Sequence, residues 1–413
     1  MATAFRIVIE VGILTLLAWL VYVAITSPIA KSYNLRNVFV RWRSTLATIM
    51  GIGLVVAVFV LVQSLAAGLE KSAGNTGDAR NIMIVRKGST AESTSMVSLA
   101  QFQIMRYWEQ IARDESGAPL ISADLICLIS QPRSDGHGEA NVSVRGLKSV
   151  GIVLRPQVKL VAGRWFTPGK REVAVSQKLA RRFANFHIGD TFRTAGNTLT
   201  VVGEFDGGNS AFDSEVWMDV DEARSLFDRE SYSSLLVRMA SPEAGKQIIS
   251  RIEGDKRLPL LAGSEIKYYT DQTMTALPIK ILGNFLATAM SIGAIFAAMN
   301  TMYASVGART REVGTLRVLG YRRRTILAAF IVEGAFLAAI GGVLGCLLAL
   351  PMHGVSTGTM SFNTFSETVF EFRITPLLAA KGMIFAVVVG VIGSLLPAIR
   401  ASRLPVITAL KSV

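Results

Sequence analysis

Four stretches of this chain are long and apolar enough to cross a lipid bilayer as helices: residues 45–69, 279–303, 325–350 and 377–399. Each exceeds the roughly 20 mostly uncharged residues that a spanning helix needs. The last carries Lys381 near its start, where a long side chain reaches back to the headgroups. A fifth stretch, 5–25, is apolar except for Arg6 and Glu10. It is expected as an extra N-terminal span, with an interfacial helix or a cleaved signal peptide as alternatives. The fold class follows from this spacing. It is an α-helical transmembrane bundle of four core spans plus the extra N-terminal span, with a large α+β extracytoplasmic domain inserted between core spans 1 and 2.

Charge orients the spans. The net charge is +13, yet the insert from Glu70 to Asp271 holds 26 basic and 25 acidic residues. Of the 17 basic residues elsewhere, 13 lie in the short segments 31–43, 309–324 and 400–411, opposed only by Glu312. Basic residues crowded beside spans mark the cytoplasmic side. The three segments can share that side if the insert lies outside and the C-terminus inside. The surplus charge thus sets topology, and nucleic acid is not an expected partner.

The chain divides into residues 1–30 (N-terminal span), 31–70 (basic juxtamembrane helix and core span 1), 71–277 (external domain) and 278–413 (core spans 2–4). Within the domain, two outer strand–helix–strand units, about 80–140 and 228–275, flank a strand-rich part, about 141–227. Strands are expected at 82–86, 120–130, 234–239 and 265–270, with helices at 99–112 and 242–252. Gly196-Asn197 marks a hairpin turn. The loop 352–374, rich in Ser, Thr and Phe, shows no element of its own. Cys127 lies in the insert and Cys346 in a span, so they are not expected to pair.

No catalytic, cofactor-binding or metal-ligating set emerges. The three histidines, His137, His187 and His353, do not stand at metal-ligand spacing with one another or with cysteine. The run Gly163 to Lys170 has one residue too many for a phosphate loop, and Arg171 stands where Ser or Thr is required.

The most specific segment joins core spans 2 and 3: Arg309-Thr-Arg311-Glu312-Val313-Gly314-Thr-Leu316-Arg317-Val-Leu319-Gly320. Val313, Leu316 and Leu319 recur at helical spacing among arginines, and Gly320 is placed to end the helix. A short helix is expected over about 306–321. It either anchors two spans at the membrane surface or is offered to a groove on a cytoplasmic partner. Inside core span 3, Glu333 is a costly residue that must face protein or water, and Gly341 and Gly345 form a small-residue face for close helix contact.

These residues carry a resemblance. The run 309–320 resembles the coupling segment of the FtsX/MacB/Lol-type ABC transporter permeases, the mechanotransmission or type VII group. Core span 3 is similar too, in Glu333-Gly334-Ala335-Phe336-Leu337 and in Gly341, Gly342 and Gly345. So is the end of the chain, from Leu396-Pro397-Ala398 to Arg400, Arg403, Pro405, Ala409 and Leu410. In the insert, Leu160 to Phe166, Glu172 to Val175 and Val201-Val202-Gly203 resemble that group's external domain. The likeness covers about 34–413 and favours the MacB-like branch. Leu404 meets Pro405 directly where the family usually has an acidic residue between, and most members lack the N-terminal span.

The resemblance implies a non-catalytic permease subunit of the bacterial inner membrane. Separate cytoplasmic ATPase subunits would use ATP and Mg, while this chain binds no cofactor. Arg309, Arg311, Glu312, Val313, Gly314, Leu316, Arg317, Leu319 and Gly320 would form the ATPase-docking coupling helix. Other implied partners are a second permease copy (a homodimer), membrane lipid, a periplasmic adaptor and an outer-membrane channel. The activity would be export, or extraction of cargo from the periplasm or outer leaflet. An FtsX-like signalling subunit that activates an envelope hydrolase is the alternative.

Overall fold

The computed structural model describes residues 42–405 apart from 137, 256, 273–276 and 361–365. The expected N-terminal span at 5–25 and most of the basic segment 31–43 lie outside the described residues. The described chain forms two compact units, one built from the spans and one from the insert.

Among the described residues, four helices are long and apolar enough to cross a membrane. Span 1 is Trp42–Thr76, span 2 Leu277–Ala308, span 3 Arg323–Ala349 and span 4 Pro376–Ser402. Span 1 has 35 residues, roughly 50 Å of helix at about 1.5 Å per residue, so it is longer than a bilayer core of roughly 30 Å requires. Small residues let the helices approach. A Cβ on Gly390 would stand 2.3 Å from that of Ala338, and one on Gly334 would stand 2.5 Å from that of Ser394. Spans 3 and 4 therefore touch along their backbones.

The external unit is built on a ten-stranded sheet in the order β10-β1-β9-β2-β3-β8-β5-β7-β4, with β6 paired to β7. Its strands are β1 (Asn81–Arg86), β2 (Ile121–Pro132), β3 (Glu139–Leu147), β4 (Lys159–Gly163) and β5 (Glu172–Ser176), then β6 (Thr191–Thr194), β7 (Asn197–Asp206), β8 (Glu215–Asp219), β9 (Ser234–Arg238) and β10 (Leu260–Ser264). Helices α1 (Leu99–Arg106), α2 (Ser149–Val153), α3 (Gln177–Ala180), α4 (Val220–Leu226), α5 (Pro242–Gly254) and α6 (Glu265–Gln272) accompany it. Side chains alternate across β1: Ile82 and Ile84 enter one core, Met83 and Val85 the other. The sheet is thus covered on both faces. The long β2 pairs with β9 through its first residues and with β3 through the rest, which joins the outer units to the strand-rich middle.

Several elements differ from the sequence expectation. Residues 265–270 form a helix, because Glu265 and Tyr269, four apart, are both buried on one face; the strand is the preceding β10. The helix expected over 99–112 stops at Arg106, after a start fixed by the capping box of Ser98 and Gln101. The 191–204 hairpin turns with positive φ at Ala195 and Gly196, the pattern of a type I′ turn. The segment 352–374 is not featureless either. It holds two antiparallel strands, β11 (Ser356–Met360) and β12 (Glu367–Glu371), which cluster with the external unit.

Candidate docking helix and its joints

Span 2 stays helical to Ala308, the backbone breaks at Arg309, and a nine-residue helix follows, Thr310–Val318. A helix this short has little stability of its own, so its ends matter. At its C-terminus Gly320 takes φ +93, and Gly320 N–H donates to the Arg317 carbonyl at 3.2 Å while Tyr321 N–H donates to that of Leu316 at 3.1 Å. These are the paired bonds of a Schellman stop, which favours glycine because of its left-handed backbone. The helix therefore ends where the sequence placed its end, but it starts later than 306.

At its N-terminus the helix is pinned by charge. Arg309 Nη1 and Nη2 donate to the two carboxylate oxygens of Glu333 at 2.8 and 3.0 Å. Both side chains are buried. Two residues singled out separately in the sequence are thus one bidentate pair, the geometry in which guanidinium and carboxylate interact most strongly. It gives the intramembrane carboxylate the partner its position demands.

The apolar stripe divides. Val313 is buried with Met302, Val306, Ile326 and Phe330, and Gly314 is buried beside it. Leu316 and Arg317 are half-buried, whereas Arg311 and Glu312 are exposed. Leu319 is 69% exposed and the neighbouring Val318 62%. So Val313 holds the helix to the bundle, and Val318 with Leu319 forms the outward apolar tip. Val318 was missed in the sequence because it falls between the stripe's positions.

Gly341 and Gly345 lie against span 1. A Cβ on Gly341 would come within 3.0 Å of the Ile49 carbonyl, and one on Gly345 within 2.5 Å of the Gly53 carbonyl. Span 3, which follows the short helix and carries Glu333, is thereby seated on span 1 at backbone distance.

In the external unit, the chain arriving from span 1 and the chain departing toward span 2 run together. Thr76 Oγ1 accepts from Ala211 N–H at 2.8 Å, and the Thr76 carbonyl accepts from Gln157 Nε2 at 2.7 Å. Glu265 Oε2 accepts from Asp78 N–H and Asn81 Nδ2, both at 2.9 Å. Burial pushes the Glu265 carboxyl up from its ordinary pKa. A Cβ on Gly77 would lie 2.6 Å from Ile266 N, so the two connections touch. Deeper in the unit, Arg145 is buried between Glu92 at 2.9 Å, Asp124 at 3.2 Å and Glu215 at 2.7 Å. That network ties the outer strands to the middle ones. No local motif marks it, since its members are far apart in sequence.

Comparison with known proteins places this arrangement. The family model for the MacB-like periplasmic core domain matches residues 44–254, and that for the FtsX-like permease C-terminal region matches 284–406. The chain is an ABC transporter permease of the MacB/FtsX family. Among its relatives, the uncharacterised ABC transporter permease YknZ of Bacillus subtilis is 27% identical over 290 residues, covering 66% of this chain and 70% of that protein. The macrolide export ATP-binding/permease protein MacB of Hahella chejuensis is 25% identical over 324 residues, 70% of this chain. The matched region spans 48% of that MacB protein. The MacB/FtsX permease thus carries the family's external domain and its membrane region in one chain, with the short helix inside the FtsX-like part.

Proposed function

We propose that this permease couples ATP hydrolysis by separate cytoplasmic ATPase subunits to movement of its external domain, which exports cargo or extracts it from the periplasm or outer leaflet. The observation that carries this reading is the pinned short helix 310–318. It is locked to span 3 by Arg309 and Glu333 and presents Val318 and Leu319 outward. Motion imposed on the tip passes into span 3, and the tight root at Thr76, Glu265 and Gly77 passes motion of spans 1 and 2 into the sheet. The basic segments orient this helix and the C-terminus toward the cytoplasm. Relatives named as ATP-binding/permease proteins support an ATPase as the tip's partner. A second permease copy or lipid would cover the exposed apolar residues of span 2, among them Phe285, Leu286, Ile292 and Phe296. In a cell with two membranes, a periplasmic adaptor and an outer-membrane channel would receive the cargo.

The test is Leu319→Glu, compared with Lys246→Glu on the external domain as a control. Losing a buried interface leucine removes about 1.5–3 kcal/mol, and burying a charge adds to that cost. Co-purification with the ATPase should weaken at least tenfold in L319E, with stimulated ATP turnover lost, while K246E behaves as wild type. Normal binding and turnover by a folded L319E protein would overturn the docking role.

A further inference from the structure

The chain between spans 3 and 4 ends up in the external domain's core, and it is held there by a site built for a carboxylate. On β12, Glu367, Val369 and Glu371 alternate and so share one face. Val369 is 1% exposed and belongs to the domain's main hydrophobic cluster, and its N–H donates to Ser214 Oγ at 2.7 Å. Glu371 reaches Lys178 Nζ at 2.8 Å, which also holds Asp213 at 2.9 Å.

Glu367 is the centre of the contact. It is 3% exposed and lies between two guanidinium groups: Arg133 Nη2 is 2.7 Å from one oxygen and Arg182 Nε 2.9 Å from the other. The two arginines come from different elements, the end of β2 and the turn after α3. Backbone bonds hold these elements together, Ser134 N–H to the Arg182 carbonyl at 2.9 Å and Ala184 N–H to that of Pro132 at 3.1 Å. Two fixed guanidiniums this close repel unless an anion sits between them. The approach also depends on Gly358 of β11, where a Cβ would lie 2.1 Å from Glu367 Oε1 and 2.7 Å from Arg182 Nη2.

We infer that this hairpin is a strap. It fastens the connection between spans 3 and 4 to the strand-rich part of the domain and gives force from the docking helix a route besides spans 1 and 2. In chain order span 3 follows the docking helix, and past a short 3-10 turn at Leu350–Met352 the chain enters β11, the first strand of the strap. The force route rests on the coupling reading above for its source of force. The docking of the strap does not.

The experiment therefore has two readouts in the full chain, in a C127A/C346A background. The first needs no ATPase: maleimide labelling of V369C, with K246C as an exposed reference. V369C should label at least tenfold more slowly than K246C. E367R should remove that protection, and reversing all three charges (E367R with R133E and R182E) should restore it. Fast labelling of V369C in the otherwise unchanged protein, or no effect of E367R, overturns the strap. The second readout uses the permease–ATPase complex with a fluorophore on K246C. E367R should cut the ATP-driven signal at least by half at unchanged ATP turnover, and the charge reversal should restore it. A full signal in E367R would make the strap a passive contact and overturn the force route. No signal in the otherwise unchanged protein would overturn both that route and the coupling reading, with the docking result standing by itself.

Discussion

Arg309 and Glu333, 24 residues apart, meet through two hydrogen bonds of 2.8 and 3.0 Å with both side chains buried. One stands at the break that begins the short helix Thr310–Val318, the proposed docking helix, and the other inside span 3. The pair converts a nine-residue helix, too short to hold its own shape, into a rigid extension of the bundle. Arg309 gives the helix no side-chain cap, and Val313 packs its first turn against the bundle.

Removing one partner should be worse than removing both. Glu333→Ala leaves a buried guanidinium without its counter-ion, a loss of about 3–5 kcal/mol, whereas replacing both by apolar residues of similar volume is often nearly neutral. The single variant should therefore lose thermal stability in detergent, and R309M/E333L should recover most of it. Coupling should behave differently. The double variant should be stable yet stimulate the ATPase poorly, because the orientation of the docking helix is no longer fixed. Equal stability losses in the single and double variants would refute the pairing argument.

Packing between spans 3 and 1 gives a second expectation. Gly345→Ala would place a methyl 2.5 Å from the Gly53 carbonyl and 2.7 Å from Val56 Cβ. The nearest obstacle is backbone, so the helices must move apart, at a cost of about 1–3 kcal/mol. Gly293→Ala in span 2 meets nothing within 4 Å. It should be neutral, or stabilising by up to about 1 kcal/mol through helix propensity. Thermal unfolding of the two variants in the same detergent distinguishes a specific close contact from a general intolerance of span glycines.

The parts of this structure that were legible in the sequence are those governed by local rules. The spans follow from length and hydropathy, and the stop at Gly320 from the need for a left-handed residue after a helix. Glu333 was recognisable as a group needing a partner, but Arg309 was not identifiable as that partner, because the fold brings them together across a helix break. The division of the stripe into inward Val313 and outward Leu319 likewise depends on tertiary packing. Six residues also turn the two about 120° apart around a helix of about 3.6 residues per turn, so the packing of neighbours decides which of them faces the bundle. The strap was missed for a related reason. Glu367-x-Val369-x-Glu371 has the alternation of a strand, but its polar positions suit a loop unless cationic partners are waiting for them, here two arginines for Glu367 and Lys178 for Glu371. At 265–270 the error was one of period. Ile266, Tyr268 and Thr270 imitate alternation, while the buried pair Glu265 and Tyr269 obeys the helical repeat.

The root of the external domain yields the last expectation, a pH dependence. Glu265 is wholly buried, its Oε2 accepts two hydrogen bonds, and its Oε1 has no hydrogen-bond partner among the described residues. Burial raises its pKa above the ordinary 4.5, against the opposing pull of Arg155 and with a further push from Glu92. The sign follows from proton counting. Between the unfolded and folded pKa values the native state binds more protons than the unfolded chain, so stability falls as pH rises. The contribution is fully present below about 4.5 and is lost as pH passes the folded value. Glu265→Gln keeps an acceptor for Asp78 N–H and Asn81 but cannot ionise. Its denaturant midpoint, compared with wild type from pH 4.5 upward, should fall less steeply. Because Glu265 joins the connections to spans 1 and 2, the difference should also appear in backbone amide exchange at Asp78, whose N–H it receives. Wild type and E265Q with parallel pH profiles would show that this carboxyl does not titrate with folding.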